Sequence, residues 1–417
     1  MVAYVFSFID RQILSLLIEP IKHDLSLSDT QFGLLQGLAF SLFYATMGIP
    51  IASFADRYSR PLTIVLGIAF WSVATMACGL TRSFGQLFVA RLGVGAGEAA
   101  LSPATYSLIS DLFPKEKLGR AVGVYSMGPF VGAGIAFLVG GSVIQLAALL
   151  PEVRLFGEAL APWHLVFVLV GFPGVLLALV IALTVHEPDA ATRYKARREA
   201  PSTGQVLAFL WRERAIFGPH LFGFSFMAMS LFALLGWAPA YLIRTFGMTA
   251  AQSGLWLGMV ALIAGVSGVL ASGWFMDWQT ERGRRDAPFH TGIVGSVGTI
   301  PPMALLPFTS SPGVALALLC VAMFFASTPM PPSTAVMQVV APPAMRARVS
   351  AIFLFLNSFI GLAMGAALVG FLNDRVFASE KAVGSSMAVV VIAAAVLSIV
   401  LLLKGRRPYM AFETAAA

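Results

Sequence analysis

The sequence predicts an all-α integral membrane protein of twelve transmembrane helices in two pseudo-symmetric six-helix bundles. Three observations carry this. Charged residues are only 11% of the 417 and apolar residues 58%, against roughly 25% charged in an ordinary soluble domain. The apolar residues gather into twelve segments of bilayer-crossing length. The two halves of the chain repeat one another in register.

The segments lie near 2–18, 31–53, 62–80, 86–109, 121–146, 163–184, 216–243, 251–275, 289–308, 313–336, 349–371 and 386–403. A helix needs about 20 mostly apolar residues to cross the hydrocarbon, so twelve spans use roughly 240. The first segment is short and already holds Asp10 and Arg11, which leaves room for residues before Met1. It has no basic leader, and Glu19-Pro20 is no cleavage site, so it does not read as a signal peptide. Cys78 and Cys320 fall inside apolar segments and are expected to be buried thiols. No metal-ligand spacing occurs, and neither a metal nor a cofactor is expected.

Basic residues set the orientation. One set of alternate loops and tails carries nineteen of them, from Arg57 and Arg60 to Lys404, Arg406 and Arg407; the other set carries six. The positive-inside rule places the richer set, and both termini, in the cytoplasm. The same pattern accounts for the net charge of +7 without nucleic acid. Arg11 and Arg91 are the two basic residues inside apolar segments. N-glycosylation acceptors are absent and the soluble tails are short, which suits a bacterial inner membrane and a multi-pass monomer.

The longest polar stretch divides the chain into an N-terminal bundle, 1–185, a cytoplasmic linker, 186–204, and a C-terminal bundle, 205–417. At an offset of 221, Gln31, Gly33, Leu34, Gly37, Phe54 and Asp56 match Gln252, Gly254, Leu255, Gly258, Phe275 and Asp277. Ser28 and Thr249 both stand where a helix N-cap is wanted. Small pairs at a spacing of four, Gly33/Gly37, Gly128/Gly132, Gly254/Gly258 and Gly361/Gly365, predict close helix packing.

The loop Ala52-Ser-Phe-Ala-Asp56-Arg57-Tyr-Ser59-Arg60 resembles the G-x-x-x-D-R-x-G-R motif of the major facilitator superfamily, with Ala52 and Ser59 in place of glycines. A second copy runs from Gly273 to Asp277, followed by Arg282-Gly-Arg-Arg285. The resemblance implies a cytoplasmic gate of Asp56, Arg57, Arg60 and Asp277. Gly128-Pro129-Phe-Val-Gly132-Ala-Gly134 is similar to the glycine-proline motif of the superfamily's antiporters. Phe8-Ile-Asp10-Arg11-Gln12, with Arg91-Leu-Gly93-Val-Gly95-Ala-Gly97-Glu98, resembles the Spinster branch, where Asn-Tyr is usual at the positions of Ser7 and Phe8. The C-terminal half resembles the superfamily in general.

Asp10, Arg11, Arg91 and Glu98 are the candidate proton-coupling residues. A charge at the bilayer centre costs about 2.5–3.5 kcal/mol, so four of balanced sign are expected to pair. Arg91 and Glu98 share a face two turns apart, about 10.5 Å. That is too far for one bridge, so each is expected to meet a partner from the first span. Burial disfavours a charged carboxylate and a neighbouring arginine favours it, which gives a protonation switch. The repeat counterparts of Asp10 and Arg11 are Leu231 and Phe232, so the coupling chemistry is expected in the N-terminal half.

Arg11, Arg91, Tyr44, Tyr125 and Asn357 are candidates for a substrate headgroup. Phe224, Met227, Phe324 and Phe353 are candidates for an apolar tail. One polar and one apolar wall suit an amphipathic anion. The Spinster resemblance implies lysophospholipids or sphingosine-phosphate-like lipids, exported in exchange for protons. A multidrug or organic-anion exporter on the same fold is one alternative. A non-pumping, lipid-binding or scrambling membrane protein is another. No Ser-His-Asp set, P-loop or metal cluster points to an enzyme. His23, His164, His186, His220 and His290 are expected at membrane interfaces or in loops.

Overall fold

The computed structural model describes residues 1–57, 59–113, 117, 124–125, 127–150, 154–155, 158–187 and 202–416; for 49, 52–57, 110–111, 155, 158, 347 and 415–416 it describes the backbone only. Most of the 186–204 linker lies outside the described residues.

Helices lie in all twelve predicted segments. Among the described residues, nine are long and apolar enough to cross a membrane. The other three segments are each two helices in succession: Val2–Leu16 with Ile18–Leu25, Asp29–Gln36 with Leu38–Arg57, and Phe84–Glu98 with Leu101–Leu112. Two of these three hold all four intramembrane charges, which lowers their mean hydropathy. A count of twelve spans is consistent with this arrangement. The one extended pairing among the described residues is a two-residue antiparallel ladder, Arg154 opposite Ala159 and Leu155 opposite Glu158.

The internal repeat is visible at its caps. Ser28 accepts a hydrogen bond from the Gln31 main-chain N–H, and the Gln31 side-chain oxygen accepts one from the Ser28 N–H. Thr249 and Gln252 form the same reciprocal box. Each pair satisfies two amides that the first helical turn would otherwise leave open.

The described chain forms two compact units. The first comprises Met1–Pro188, Leu235–Leu262 and Ala366–Val383; the second comprises Asp189–Leu234, Ile263–Gly365 and Gly384–Ala417. Two of the changes of unit fall within or directly after π turns, Ala261–Gly265 and Asn357–Met364. In the first unit, Val2–Leu16 packs along Gly128–Leu149, and Arg60–Cys78 lies between Pro162–Thr184 and Phe84–Glu98. Pro129 stands in the first turn of Gly128–Leu149, where proline is accommodated rather than kinking the helix. In the second unit, Phe217, Phe224, Met227, Phe289, Val336, Leu402 and Tyr409 share one core.

Small residues set the closest approaches. A Cβ on Gly95 would lie 2.1 Å from the Phe40 carbonyl oxygen, and one on Gly132 would lie 2.6 Å from that of Val5. Gly283 has a left-handed φ of 78°. It closes helix Val266–Glu281, with the Arg284 N–H returning to the Gln279 carbonyl, a turn that favours glycine.

Overpacking a helix interface typically costs about 1–3 kcal/mol. Gly95→Val should therefore lower the thermal midpoint of the detergent-purified protein by several degrees. Gly85→Ala, on the same helix with nothing within 4 Å of the new Cβ, should change it far less. Equal midpoints for the two variants would contradict the close approach.

Candidate functional site

The first span buries Ser7, Phe8, Asp10, Arg11 and Gln12 in succession. Neighbours on a helix diverge by about 100°, so Asp10 and Arg11 reach different partners. Asp10 Oδ2 accepts a hydrogen bond from Thr75 Oγ1 of the third span at 3.2 Å. Arg11 turns to the fourth span: its Nε donates to Glu98 Oε2 at 2.7 Å, and its Nη2 lies 2.5 Å from the same oxygen. Ser7, one turn earlier, donates to that oxygen too. Arg91 meets the first span through the main chain, with Nη1 3.4 Å from the Asp10 carbonyl oxygen, rather than through the Asp10 carboxylate.

These groups are sealed from solvent: Asp10 is 2% exposed, Arg91 and Glu98 1% each. Yet Asp10 Oδ1, Glu98 Oε1 and Arg91 Nε have no hydrogen-bond partner among the described residues. Buried polar atoms are nearly always paired, so three open ones in one cluster set this place apart from the rest of the unit.

An aromatic shell surrounds Arg11. Its guanidinium carbon lies 4.6 Å from the ring centre of Phe8, 4.2 Å from Phe40 and 4.8 Å from Tyr44. Cation–π contact of this kind stabilises a desolvated guanidinium. Phe40 can approach because Gly95 has no side chain. Tyr125, stacked on Tyr4 at 4.7 Å, shares a 3.2 Å hydrogen bond with Ser102.

The other predicted positions are distributed. Arg60 donates from Nε to Glu187 Oε1 at 2.8 Å, and from Nη1 to the Ser107 carbonyl and hydroxyl at 3.2 and 3.0 Å. The side chains of Asp56 and Arg57 lie outside the described residues. Asp277 is exposed in the second unit. Asn357 is half-buried and opens the π turn Asn357–Met364. Phe224 and Met227 are packed inside the core of the second unit, with Phe353 against it. Phe324 is half-buried, edge-on to Phe325.

His164 keeps its expected place at a helix end but is buried there, whereas His220 departs from the interfacial expectation. His164 lies between the carbonyls of Ala161 and Thr81, and His220 is wholly buried, with Nε2 2.8 Å from the Ser333 carbonyl. Aromatic packing with Phe217, Phe224 and Phe353 covers His220. Cys78 is buried as expected, but Cys320 only partly.

A second charged cluster, which the sequence did not single out, sits at the opposite end of the first span. Asp29, fully buried, is its node. Arg244 grips it with Nη1–Oδ2 at 2.6 Å and Nη2–Oδ1 at 2.9 Å. Lys22 binds the same carboxylate, and Asn373 Nδ2 donates to it at 2.8 Å. Arg244 also reaches Glu19 at 2.6 Å, and Lys22 reaches Glu380 at 2.6 Å. Asp374 accepts from the main-chain N–H groups of Asp29 and Thr30 at 3.2 and 2.6 Å, capping the helix that begins there. The cluster was illegible because its members come from four places in the chain.

Helices long and apolar enough to cross a membrane, burying a balanced charge cluster against small-residue seams, define a polytopic membrane protein. The Major Facilitator Superfamily model matches residues 1–366, and this chain belongs to that superfamily. A relative, an MFS-type efflux pump of Mycolicibacterium smegmatis, is 30% identical over 88% of this chain and 81% of its own length. A hexuronate transporter of Bacillus subtilis is 26% identical over 89% of this chain and 86% of its own. Among solved structures, a bacterial homologue of the human lysosomal transporter Spinster, inward-facing and unoccupied, superimposes with a TM-score of 0.77. It is 27% identical and covers 98% of this chain and 94% of its own. The Spinster resemblance thus extends over both halves.

Burial works against the charged form of Asp29, but the hydrogen bonds and charges of Arg244 and Lys22 outweigh it and hold the carboxyl below its ordinary range. A carboxyl lowered on folding stabilises the fold above its unfolded pKa of about 3.9 and loses that contribution as pH falls through the folded value. The thermal midpoint of the wild type should therefore drop on acidification below about pH 4. Asp29→Asn should start lower at neutral pH and fall less over that window. Parallel pH curves would show that Asp29 is not the titrating node.

Proposed function

We propose that this transporter exports amphipathic lipids of the lysophospholipid or sphingosine-phosphate type in exchange for protons, by alternating access. The observation that carries this reading is the buried Arg11–Glu98 pair, whose carboxylate has one oxygen saturated by Arg11 and Ser7 and the other, Oε1, open. An ammonium arriving at Oε1 in place of a proton would compete for the carboxylate, weaken the grip on Arg11 and free a guanidinium for a phosphate, by charge-assisted hydrogen bonds. Arg91 is a second phosphate partner. Tyr44 and Tyr125 border the headgroup.

Electrostatics sets the sign of coupling. A proton on Glu98 and an anion on Arg11 favour each other, so a purely anionic headgroup would travel with the proton. Exchange requires a group that competes with the proton. The amine of a zwitterionic headgroup does so, at Glu98 Oε1 or Asp10 Oδ1. Both proposed lipid classes include such headgroups. The relatives' names, an efflux pump and a Spinster homologue, support export of an amphiphile; the hexuronate transporter supports a second reading, a small organic anion bound at the same arginines.

In this reading Asp56, Arg57, Arg60 and Asp277 gate the cytoplasmic side, both termini are cytoplasmic and the membrane is the bacterial inner one. The Asp29 cluster closes the opposite side. It must break and reform once per cycle.

Proteoliposomes with an imposed pH gradient, offered zwitterionic lysolipids and a hexuronate in parallel, test the reading. The gradient should drive lysolipid movement, and Glu98→Gln and Asp10→Asn should abolish that drive while remaining folded. Normal uphill transport by both variants would refute the coupling role. Gradient-independent lysolipid movement would point to a scramblase instead.

Arg11→Ala should weaken lysolipid binding by about tenfold or more, the loss of a charged hydrogen bond of roughly 1.5–3 kcal/mol. It should leave binding of an uncharged monoacylglycerol nearly unchanged. Equal lysolipid affinity in wild type and variant would remove Arg11 from the headgroup site.

A further inference from the structure

The second unit contains a helix with two apolar stripes and one partner. Thr203–Arg212 opens on a reciprocal cap, Ser202 with Gln205. Val206, Phe209 and Leu210 are buried in the core of the unit. On another face, four residues apart and hence in line, Leu207 is 53% exposed and Trp211 72%. Arg212 and Arg214 flank this stripe. The Arg214 guanidinium lies 5.3 Å from the Trp211 ring centre, and its Nη1 donates to the Trp211 carbonyl at 3.1 Å. Arg214 has no carboxylate partner among the described residues. Arg212 pairs only with its neighbour Glu213, at 3.0 Å on the surface, a contact of little strength.

The next helix, Arg214–Phe246, fixes the depth of this stripe. It is 33 residues long and apolar enough to span a membrane. Arg214 and Arg244 are thirty residues apart on it, about 45 Å along the axis. A bilayer is roughly 30 Å thick in its hydrocarbon and 40–45 Å with its headgroups. One continuous helix with an arginine at each end thus puts Arg214 at the level of the headgroups. Thr203–Arg212 immediately precedes it, so Trp211 and Arg212 at its C-terminal end stand within three residues of that level. A tryptophan and a leucine beside two arginines are the side chains that layer accommodates.

We propose that Thr203–Arg212 is an interfacial helix whose outer face docks on an anionic bilayer surface, with Leu207 and Trp211 entering the headgroup zone and Arg212 and Arg214 on the lipid phosphates. The positive charge, with no acidic side chain beyond Glu213 on the stripe among the described residues, selects anionic over zwitterionic lipid. This site is independent of the Arg11–Glu98 site and of its substrate.

The test uses the full-length protein. In vesicles of phosphatidylcholine and phosphatidylglycerol, lipids brominated near the headgroup should quench the fluorescence that distinguishes the wild type from Trp211→Phe. Phosphatidylglycerol added to detergent-purified protein should raise the thermal midpoint by several degrees. Arg212→Gln/Arg214→Gln should lose most of that rise and keep its midpoint in phosphatidylcholine. The inference is overturned if the Trp211 signal is quenched by aqueous iodide and not by brominated lipid. It is also overturned if phosphatidylcholine stabilises as much as phosphatidylglycerol, or if the double variant keeps the full rise.

Discussion

Arg11 and Glu98 tie the first span to the fourth inside the N-terminal half. An isolated charge in a bilayer interior is costly, and removing one partner of a buried pair leaves the other stranded, typically a loss of about 3–5 kcal/mol. The first and fourth spans are therefore bound to each other at one height. Other features serve that contact. Ser7 adds a second donor to the same carboxylate oxygen. Phe8, Phe40 and Tyr44 cover the guanidinium. Gly95 lets the Phe40 backbone approach the fourth span. Such a pair is weak evidence for stability as such, because a well-packed apolar pair would do as well. Its open oxygen is what directs attention to exchange.

The Asp29 cluster is built on a different principle. Asp29 receives a bidentate arginine, a lysine and an amide, and its own helix is capped by Asp374. Apart from Lys22, its partners come from Leu235–Leu262 and Ala366–Val383, the two later segments that belong to the first compact unit. Polar side chains thus bind those segments to the N-terminal residues, together with close glycine approaches such as Gly33 on Ala366 and Gly254 on Phe137, while the rest of the C-terminal half keeps its own core. Contacts made of ion pairs and hydrogen bonds, with water as the alternative partner, can open at modest cost. Close-packed glycine seams such as Gly95 on Phe40 cannot.

What the sequence by itself determined is the membrane class, the repeat and the identity of the unusual charges. These depend on local properties: hydropathy over about twenty residues, a cap such as Ser28 with Gln31 or Thr249 with Gln252, and the rarity of Asp10, Arg11, Arg91 and Glu98 in apolar segments. Helical geometry also determined that Asp10 and Arg11 diverge and that Arg91 and Glu98 cannot bridge. Tertiary structure alone decided that Glu98 takes Arg11 and that Arg91 settles for the Asp10 carbonyl, because the heights of two helices set which groups meet. It alone buried His220 among phenylalanines, and it alone assembled Asp29 with Arg244, Asn373 and Glu380. Those residues look in sequence like ordinary loop-end polar groups. Their meaning lies in contacts across more than two hundred positions, a separation at which one-dimensional spacing carries no geometric information.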